Sequence, residues 1–415
     1  MDLTTFILTV ASLAGLYMAW TIGANDVANA MGTSVGSGAL TLRGAIIVAG
    51  IFEFGGAMLV GGTVTDTIRK GIVDIETLGS DPMVMAVGMT CCLLAAALWL
   101  NLATYAGWPV STTHSIVGAV VGFGVAAGGM SAVDWSTVGS IAASWIISPL
   151  IGGALGYSLF MFIQRTILNA PDPLAAIRRW GPLLVFPIIG ILVLSAMFKG
   201  LKPLNLDLAL APAVTLALVV GLVSSVVAVP IFRRFSRDGG ETREAARKRT
   251  EKVFMVLQVM TACFVAFAHG SNDVANAVGP LAAVFGAIQE GVTATVQVPY
   301  RVLLIGGVGI VVGLATYGYK IMATIGRKIT ELTPSRGFSA EFAAATTIVV
   351  ASKLGLPVST THTLVGAVIG VGFGRSIGAI NTRVLRGIFA SWFITVPFTA
   401  FLAAGMFIAA RFAFL

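Results

Sequence analysis

The sequence predicts an all-α polytopic membrane protein of about twelve transmembrane segments. They form two inverted-topology repeats, each holding a broken helix and a helical hairpin. Three observations lead there. The 415 residues are 57% hydrophobic and 11% charged, with a mean hydropathy of +0.93, whereas soluble domains carry about 25% charged residues. Apolar runs of about 20 residues, the length a helix needs to cross roughly 30 Å of hydrocarbon, recur along nearly the whole chain. Finally, two polar words inside those runs each occur twice.

The first word is Gly23-Ala24-Asn25-Asp26-Val27-Ala28-Asn29-Ala30, which returns as Gly270-Ser271-Asn272-Asp273-Val274-Ala275-Asn276-Ala277. The second is Pro109-Val110-Ser111-Thr112-Thr113-His114, which returns as Pro357-Val358-Ser359-Thr360-Thr361-His362. From Asn25 to Pro109 is 84 residues and from Asn272 to Pro357 is 85, so the chain holds two copies of one unit. The expected organisation is a first repeat over 1–165, linker or scaffold segments over 166–232, a basic cytoplasmic loop over 233–252 and a second repeat over 253–415.

In chain order, apolar segments fall at about 3–30, 44–64, 83–104, 109–127, 138–163, 183–199, 211–231, 253–280, 300–325, 337–352, 357–374 and 388–410. Segments 337–352 and 357–374 are short and joined by Lys353-Leu354-Gly355-Leu356, which predicts a hairpin of half-helices. The pair 83–104 and 109–127, joined by Tyr105-Ala106-Gly107-Trp108, is expected to match it. Segments 183–199 and 211–231 have no partner in the repeat. The first 20 residues lack a basic n-region and run straight into the first word, so the first segment is expected to be retained.

The net charge of +8 reads as membrane topology, with no nucleic-acid partner expected, because the basic residues sit mostly in short connections. The only long polar stretch, 233–252, holds eight Lys or Arg and reads as a solvated linker with a helix-favouring tail. Placing it in the cytoplasm puts both termini outside, with only Arg69, Lys70, Lys199, Lys202, Arg301 and Arg411 of the basic residues on the outer face. The first repeat then enters from outside and the second from inside. Cys91, Cys92 and Cys263 lie in apolar runs without metal-ligand spacing and read as packing residues.

A carboxylate at the bilayer centre costs on the order of 2.5–3.5 kcal/mol, and neither word contains an arginine or lysine. A bound cation or a proton is the simplest compensation for Asp26 and Asp273. In each word Asn, Asp and Asn fall at i, i+1 and i+4, so Asp26 and Asn29 share a helix face and Asn25 stands a turn below. With backbone carbonyls released where Gly23 or Gly270 loosens the helix, Asn25, Asp26, Asn29, Asn272, Asp273 and Asn276 make an all-oxygen site suited to sodium. The plainer reading is that these residues tie helices together by hydrogen bonds.

The second word reads as a helix start, where proline suits the first turn and Ser or Thr caps the orphan amides. Two helix amino termini aimed at one point make an anion site without arginine, so Ser111, Thr112, Thr113, Ser359, Thr360 and Thr361 are candidate ligands for a tetrahedral oxyanion. The alternative is that they are caps alone. Glu53 and Glu341 have no acidic counterpart in the other repeat and suggest a third cation or proton site, a gate, or helix pairing. His269 precedes the second copy where the first has Ile22, and is a weaker candidate; His114 and His362 read as groups that orient the caps.

With these words, with Thr67-Ile68-Arg69-Lys70-Gly71, and with Ala268-His269 ahead of the second copy, the chain resembles the inorganic phosphate transporter (PiT) family over both halves. The large cytoplasmic insertion of animal members is absent, which fits a prokaryotic transporter. The resemblance implies uptake of phosphate across the cytoplasmic (inner) membrane with sodium or protons as coupling ion, and a homodimer, which the unpaired segments also suggest. It matches Asp26 and Asp273 to the family's essential aspartates, Glu53 and Glu341 to its functional glutamates, His269 to its second-repeat histidine, and both Ser-Thr-Thr triplets to its phosphate-binding hairpins. No cofactor is expected. No nucleophile–base pair, zinc word or nucleotide loop supports an enzyme.

Overall fold

Apolar runs become helices here because hydrocarbon offers no partner to an open backbone, and short polar side chains close the helix ends. A computed structural model describes residues 2–61, 72–73, 81–197, 210–235, 241–290, 298–353 and 358–414. Its principal helices are α1 (Leu3–Gly36), α2 (Leu42–Val60), α3 (Pro82–Ala106), α4 (Thr112–Gly128), α5 (Trp135–Ile163), α6 (Pro173–Ser195), α7 (Leu210–Arg233), α8 (Arg243–Asp273), α9 (Ala275–Glu290), α10 (Tyr300–Tyr317), α11 (Pro334–Lys353), α12 (Thr360–Arg375) and α13 (Thr382–Phe414). Asp2, Thr41, Asp81, Ser111, Asp134, Asp172, Thr242 and Ser359 cap amino termini by accepting backbone N–H groups. Among the described residues, nine helical stretches are long and apolar enough to cross a membrane, with α8 and α9 taken as one, and α4 is a shorter apolar helix.

Each expected apolar segment overlaps a helix, but three expectations need correction. The first word does not break its helix: α1 runs through it without interruption, while the second word is broken at one residue, Val274, between α8 and α9. Gly23 and Gly270 therefore do not loosen the backbone; they let another helix come close. A Cβ on Gly23 would stand 1.9 Å from the carbonyl oxygen of Ile310 on α10, and one on Gly270 would stand 2.1 Å from that of Glu53 on α2. Small residues at such crossings are how membrane helices pack. Gly270→Ala is expected to lower stability by about 1–3 kcal/mol through overpacking, read as a fall in melting temperature; an unchanged melting curve would show that the crossing yields easily.

The second correction concerns the first hairpin, whose arms are unequal. α3 has 25 residues, and at 1.5 Å per residue it is about 38 Å long, a full crossing, whereas α4 has 17. Gly107 takes the left-handed conformation (φ 72°) that ends α3, and Trp108 N–H bonds back to Ala103 O at 2.8 Å. The matching connection at 354–357 and the Thr67–Gly71 word lie outside the described residues. Third, the loop expected over 233–252 is shorter, because its helix-favouring tail already belongs to α8. α8 already starts at Arg243, capped by Thr242 and supported by a Glu244–Lys248 ion pair at 3.0 Å.

The halves interlock. α1 packs on α10 and α2 on α8; α4 packs on α13 and α5 on α12. Trp20 Nε1 donates to Thr316 Oγ1 and Trp99 Nε1 to Thr395 Oγ1, each at 3.0 Å and each across the halves. α6 and α7 pack mainly on each other.

Candidate functional site

The interlock carries Asp26 to the hairpin starts of both halves, while Asp273 meets that of its own. Asp26, 1% exposed, accepts hydrogen bonds from the Thr112 hydroxyl of its own half and from Thr361 Oγ1 of the other at 3.2 Å. Asn29 Nδ2 donates to Asp26 Oδ1 at 3.2 Å and to Thr361 Oγ1 at 2.8 Å, and lies 3.4 Å from Thr360 Oγ1. Thr360 Oγ1 in turn donates to Asp273 Oδ2 at 3.2 Å. Donor groups of Asn29 fix its amide orientation, which leaves Oδ1 buried with no hydrogen-bond donor among the described residues. An orphaned acceptor of that kind beside a carboxylate suits a cation.

Asp273 has a second neighbour. His269 Nε2 is 2.8 Å from Asp273 Oδ2, and His269 Nδ1 is 3.3 Å from Glu53 Oε1. These are ion-pair distances without hydrogen-bond alignment, and both carboxylates and the ring are buried. One ligand atom each from Asp26, His269 and Asp273 lie within 4.8 Å of one another. Glu53 is thereby the far end of a polar chain that runs through His269, Asp273, Thr360, Asn29 and Asp26 to Thr112. In the first half the corresponding place is apolar: Ile22 stands for His269, and Ile310 stands for Glu53 at the glycine crossing, both fully buried.

The remaining predicted residues divide. Asn25 is turned to the hairpin connection, where Nδ2 donates to Thr104 Oγ1 (2.9 Å) and Trp108 O (3.2 Å) and Oδ1 accepts Val110 N–H (3.3 Å). It holds the α3–α4 turn in place. Asn272 is half-buried and donates to Asp273 Oδ1 at 3.0 Å, and Asn276 is 2% exposed. Ser111 and Ser359 accept the backbone N–H of His114 and His362 at 3.3 and 3.2 Å, so their oxygens serve as caps. Thr113 is only half-buried.

Glu341 sits apart from that chain. Its buried carboxylate accepts hydroxyls of Thr33, Ser34 (2.7 Å) and Thr261 (2.8 Å) and the Gln258 amide (3.3 Å). Sequence reasoning did not single out those four donors, and isolated hydroxyl residues in an apolar run carry no signal by themselves. It also missed Trp145 and Trp392, which pack on the two hairpin-start histidines. His114 stacks on Trp145 at 3.5 Å between centroids, meets His362 edge-on at 4.2 Å, and His362 stacks on Trp392 at 3.5 Å. Trp392 Nε1 donates to Pro109 O at 3.0 Å. A third repeated word, Ala143-Ser144-Trp145 and Ala390-Ser391-Trp392, could have flagged these tryptophans.

A cavity bordered by Asn29, His269 and Thr360 has a volume of about 20 Å³. A water molecule needs about 10–15 Å³ on that measure, so this space takes one water and no tetrahedral oxyanion. The hairpin starts are closed on the aspartates.

A family model described as the phosphate transporter family matches residues 22–403. A Haemophilus influenzae protein carrying a phosphate permease name is 45% identical over 413 residues, which cover 98% of this chain and 97% of that one. The inorganic phosphate transporter 2-1, chloroplastic, of Arabidopsis thaliana is 44% identical over 97% of this chain and 72% of its own length. A solved structure described as the sodium-dependent phosphate transporter superposes with a TM-score of 0.87 at 40% identity, covering 98% of this chain and 99% of that one.

Proposed function

The chain belongs to the phosphate transporter family, a family of membrane carriers and not of enzymes, and from that premise we propose that it imports inorganic phosphate by sodium-coupled symport with alternating access. One observation carries the reading: Asp26 and Asp273, from the two halves, meet the Thr112, Thr360 and Thr361 hydroxyls of both hairpin starts in one buried cluster. Sodium ions bind to Asp26 and Asp273 with Asn29, Asn276 and the threonine hydroxyls, and phosphate binds between the parted hairpin starts at Ser111-Thr112-Thr113 and Ser359-Thr360-Thr361. Asn25 supports the site through the α3–α4 connection and Asn272 through its bond to Asp273. Reciprocal contacts, α1 on α10 against α2 on α8, favour the inverted arrangement of 1–165 and 253–415 about the segments 166–232. With residues 233–252 at the cytoplasmic side, both termini are outside and the membrane is the cytoplasmic (inner) one; α6 and α7 are the candidates for a homodimer contact.

An anion entering a negative-inside cell works against about 2.3 kcal/mol per charge per 100 mV. Cations in excess of the phosphate's negative charges reverse that sign, and cation and anion strengthen each other's binding in a shared site. The threonines' position between ligands sets a test: Thr112→Ala with Thr360→Ala is expected to raise the phosphate concentration for half-maximal uptake about tenfold, each lost hydroxyl contributing about 0.5–1.5 kcal/mol. An unchanged value would leave the triplets as caps.

A proton-coupled carrier of phosphate or of a metal–phosphate complex is the second reading, favoured by the Glu53–His269–Asp273 chain, which has the make-up of a proton relay. Uptake into proteoliposomes with sodium and pH gradients imposed separately decides between them. Accumulation driven by sodium alone is the expected result, and accumulation indifferent to sodium would transfer the coupling to protons.

A further inference from the structure

A groove of about 360 Å³ lies between α5 and α11, a volume within the range of about 300–1,000 Å³ typical of small-molecule sites. It opens on the apolar perimeter, where Ile147, Ile151 and Val350 are about half exposed. Among the described residues no charged side chain lines it. Ser140, Ser144 and Ser148 run along the α5 wall at helical spacing. The first two donate back to Thr137 O (2.8 Å) and Ile141 O (2.6 Å). Ser148 Oγ, in a side chain 1% exposed, has no hydrogen-bond partner among the described residues.

The internal repeat says what would fill this place. Ser148 lies three residues after Trp145 as Thr395 lies three after Trp392, and Thr347 lies ten before Pro357 as Trp99 lies ten before Pro109. In the α3–α13 contact, Trp99 is 3% exposed and its indole N–H donates to Thr395 Oγ1 at 3.0 Å. In the α11–α5 contact a threonine stands where the indole would be, and Thr347 is itself buried and spends its hydroxyl on Ala343 O at 2.8 Å. The groove and the unpartnered serine hydroxyl are what the missing indole leaves. A buried hydroxyl without a partner is costly, and an apolar planar molecule that supplies one hydrogen bond removes that cost.

We propose that the groove between α5 and α11 is a binding site for a flat, membrane-soluble aromatic molecule with one hydrogen-bond donor, the chemistry of an indole, seated where Trp99 sits in the other half and donating to Ser148 Oγ. Its occupant bridges α11, an arm of the second hairpin, to α5. On the transport reading above, it restrains the hairpin; the binding itself does not depend on that reading.

Indole is the probe, and the measurement is melting of the full-length purified chain against indole concentration, so the result is independent of transport. A saturable rise of a few degrees is expected for the unaltered protein. Ser148→Ala is expected to raise the half-saturating concentration about fivefold, the loss of one hydrogen bond. Thr347→Trp supplies the ring covalently and should abolish the response. Should Thr347→Trp fail to fold, Val350→Trp plugs the same groove from its half-exposed rim and should also abolish it. A rise that does not saturate, or one of equal size in the plugged variant, would mean partitioning into the detergent or lipid phase only and would overturn the proposal, as would the absence of any rise.

Discussion

Asp273→Asn is expected to cut sodium-driven phosphate uptake about a hundredfold while the protein still folds, its melting temperature lowered by the loss of the His269–Asp273 ion pair. The substitution keeps the shape and an oxygen that accepts from Thr360 Oγ1, so the packing of α8 against the hairpin start survives. What it removes is the charge. A unit charge pair at 4 Å is worth about 4 kcal/mol at an effective dielectric of about 20, and a hundredfold fall needs about 2.7 kcal/mol. Even part of that attraction is enough. Asp26→Asn should do the same to uptake with a larger loss of stability, because Asp26 accepts from Thr112, Thr361 and Asn29 together. The decisive readout is sodium dependence: full uptake with an unaltered sodium requirement in Asp273→Asn would show that this carboxylate does not hold the coupling ion.

The repeated words were legible because polar residues are rare in a chain that is 11% charged, so their recurrence at matched spacing stands out. Helices followed from length and hydropathy, and the caps from Ser, Thr and Asp at their starts. Spacing along one chain, however, cannot tell which helices meet. Asn25 and Asn29 look alike in sequence, yet Asn25 closes the α3–α4 connection and Asn29 joins the aspartate cluster. Gly23 invites reading as a weak point of α1, and only the carbonyl of Ile310 pressed against it shows that it serves a helix crossing. The interruption at Val274 has no counterpart at Val27, although the surrounding words are nearly identical. Local sequence was therefore not what placed it. His269 looked solitary for the same reason, since Glu53 approaches it from α2 across the interlock.

That pair gives the second large effect. Ile22 and Ile310 occupy in one half the places that His269 and Glu53 occupy in the other, which means the fold already accepts an apolar pair at this crossing. His269→Ile alone leaves Glu53 buried without its partner, and Glu53→Ile alone removes one of the two carboxylates at ion-pair distance from the ring. Breaking a buried pair from one side costs about 3–5 kcal/mol, while replacing both partners by packed apolar side chains is often neutral or stabilising. The double variant Glu53→Ile with His269→Ile is therefore expected to melt above either single variant and close to the unaltered protein. Its uptake is nevertheless expected to be lost, because Asp273 loses the ring that links it to Glu53. Melting of the four proteins as a double-mutant cycle reads the coupling directly. Additive losses, with the double variant the least stable, would mean that the two side chains do not act as a pair, and retained uptake in the double variant would remove the Glu53–His269 chain from the transport cycle.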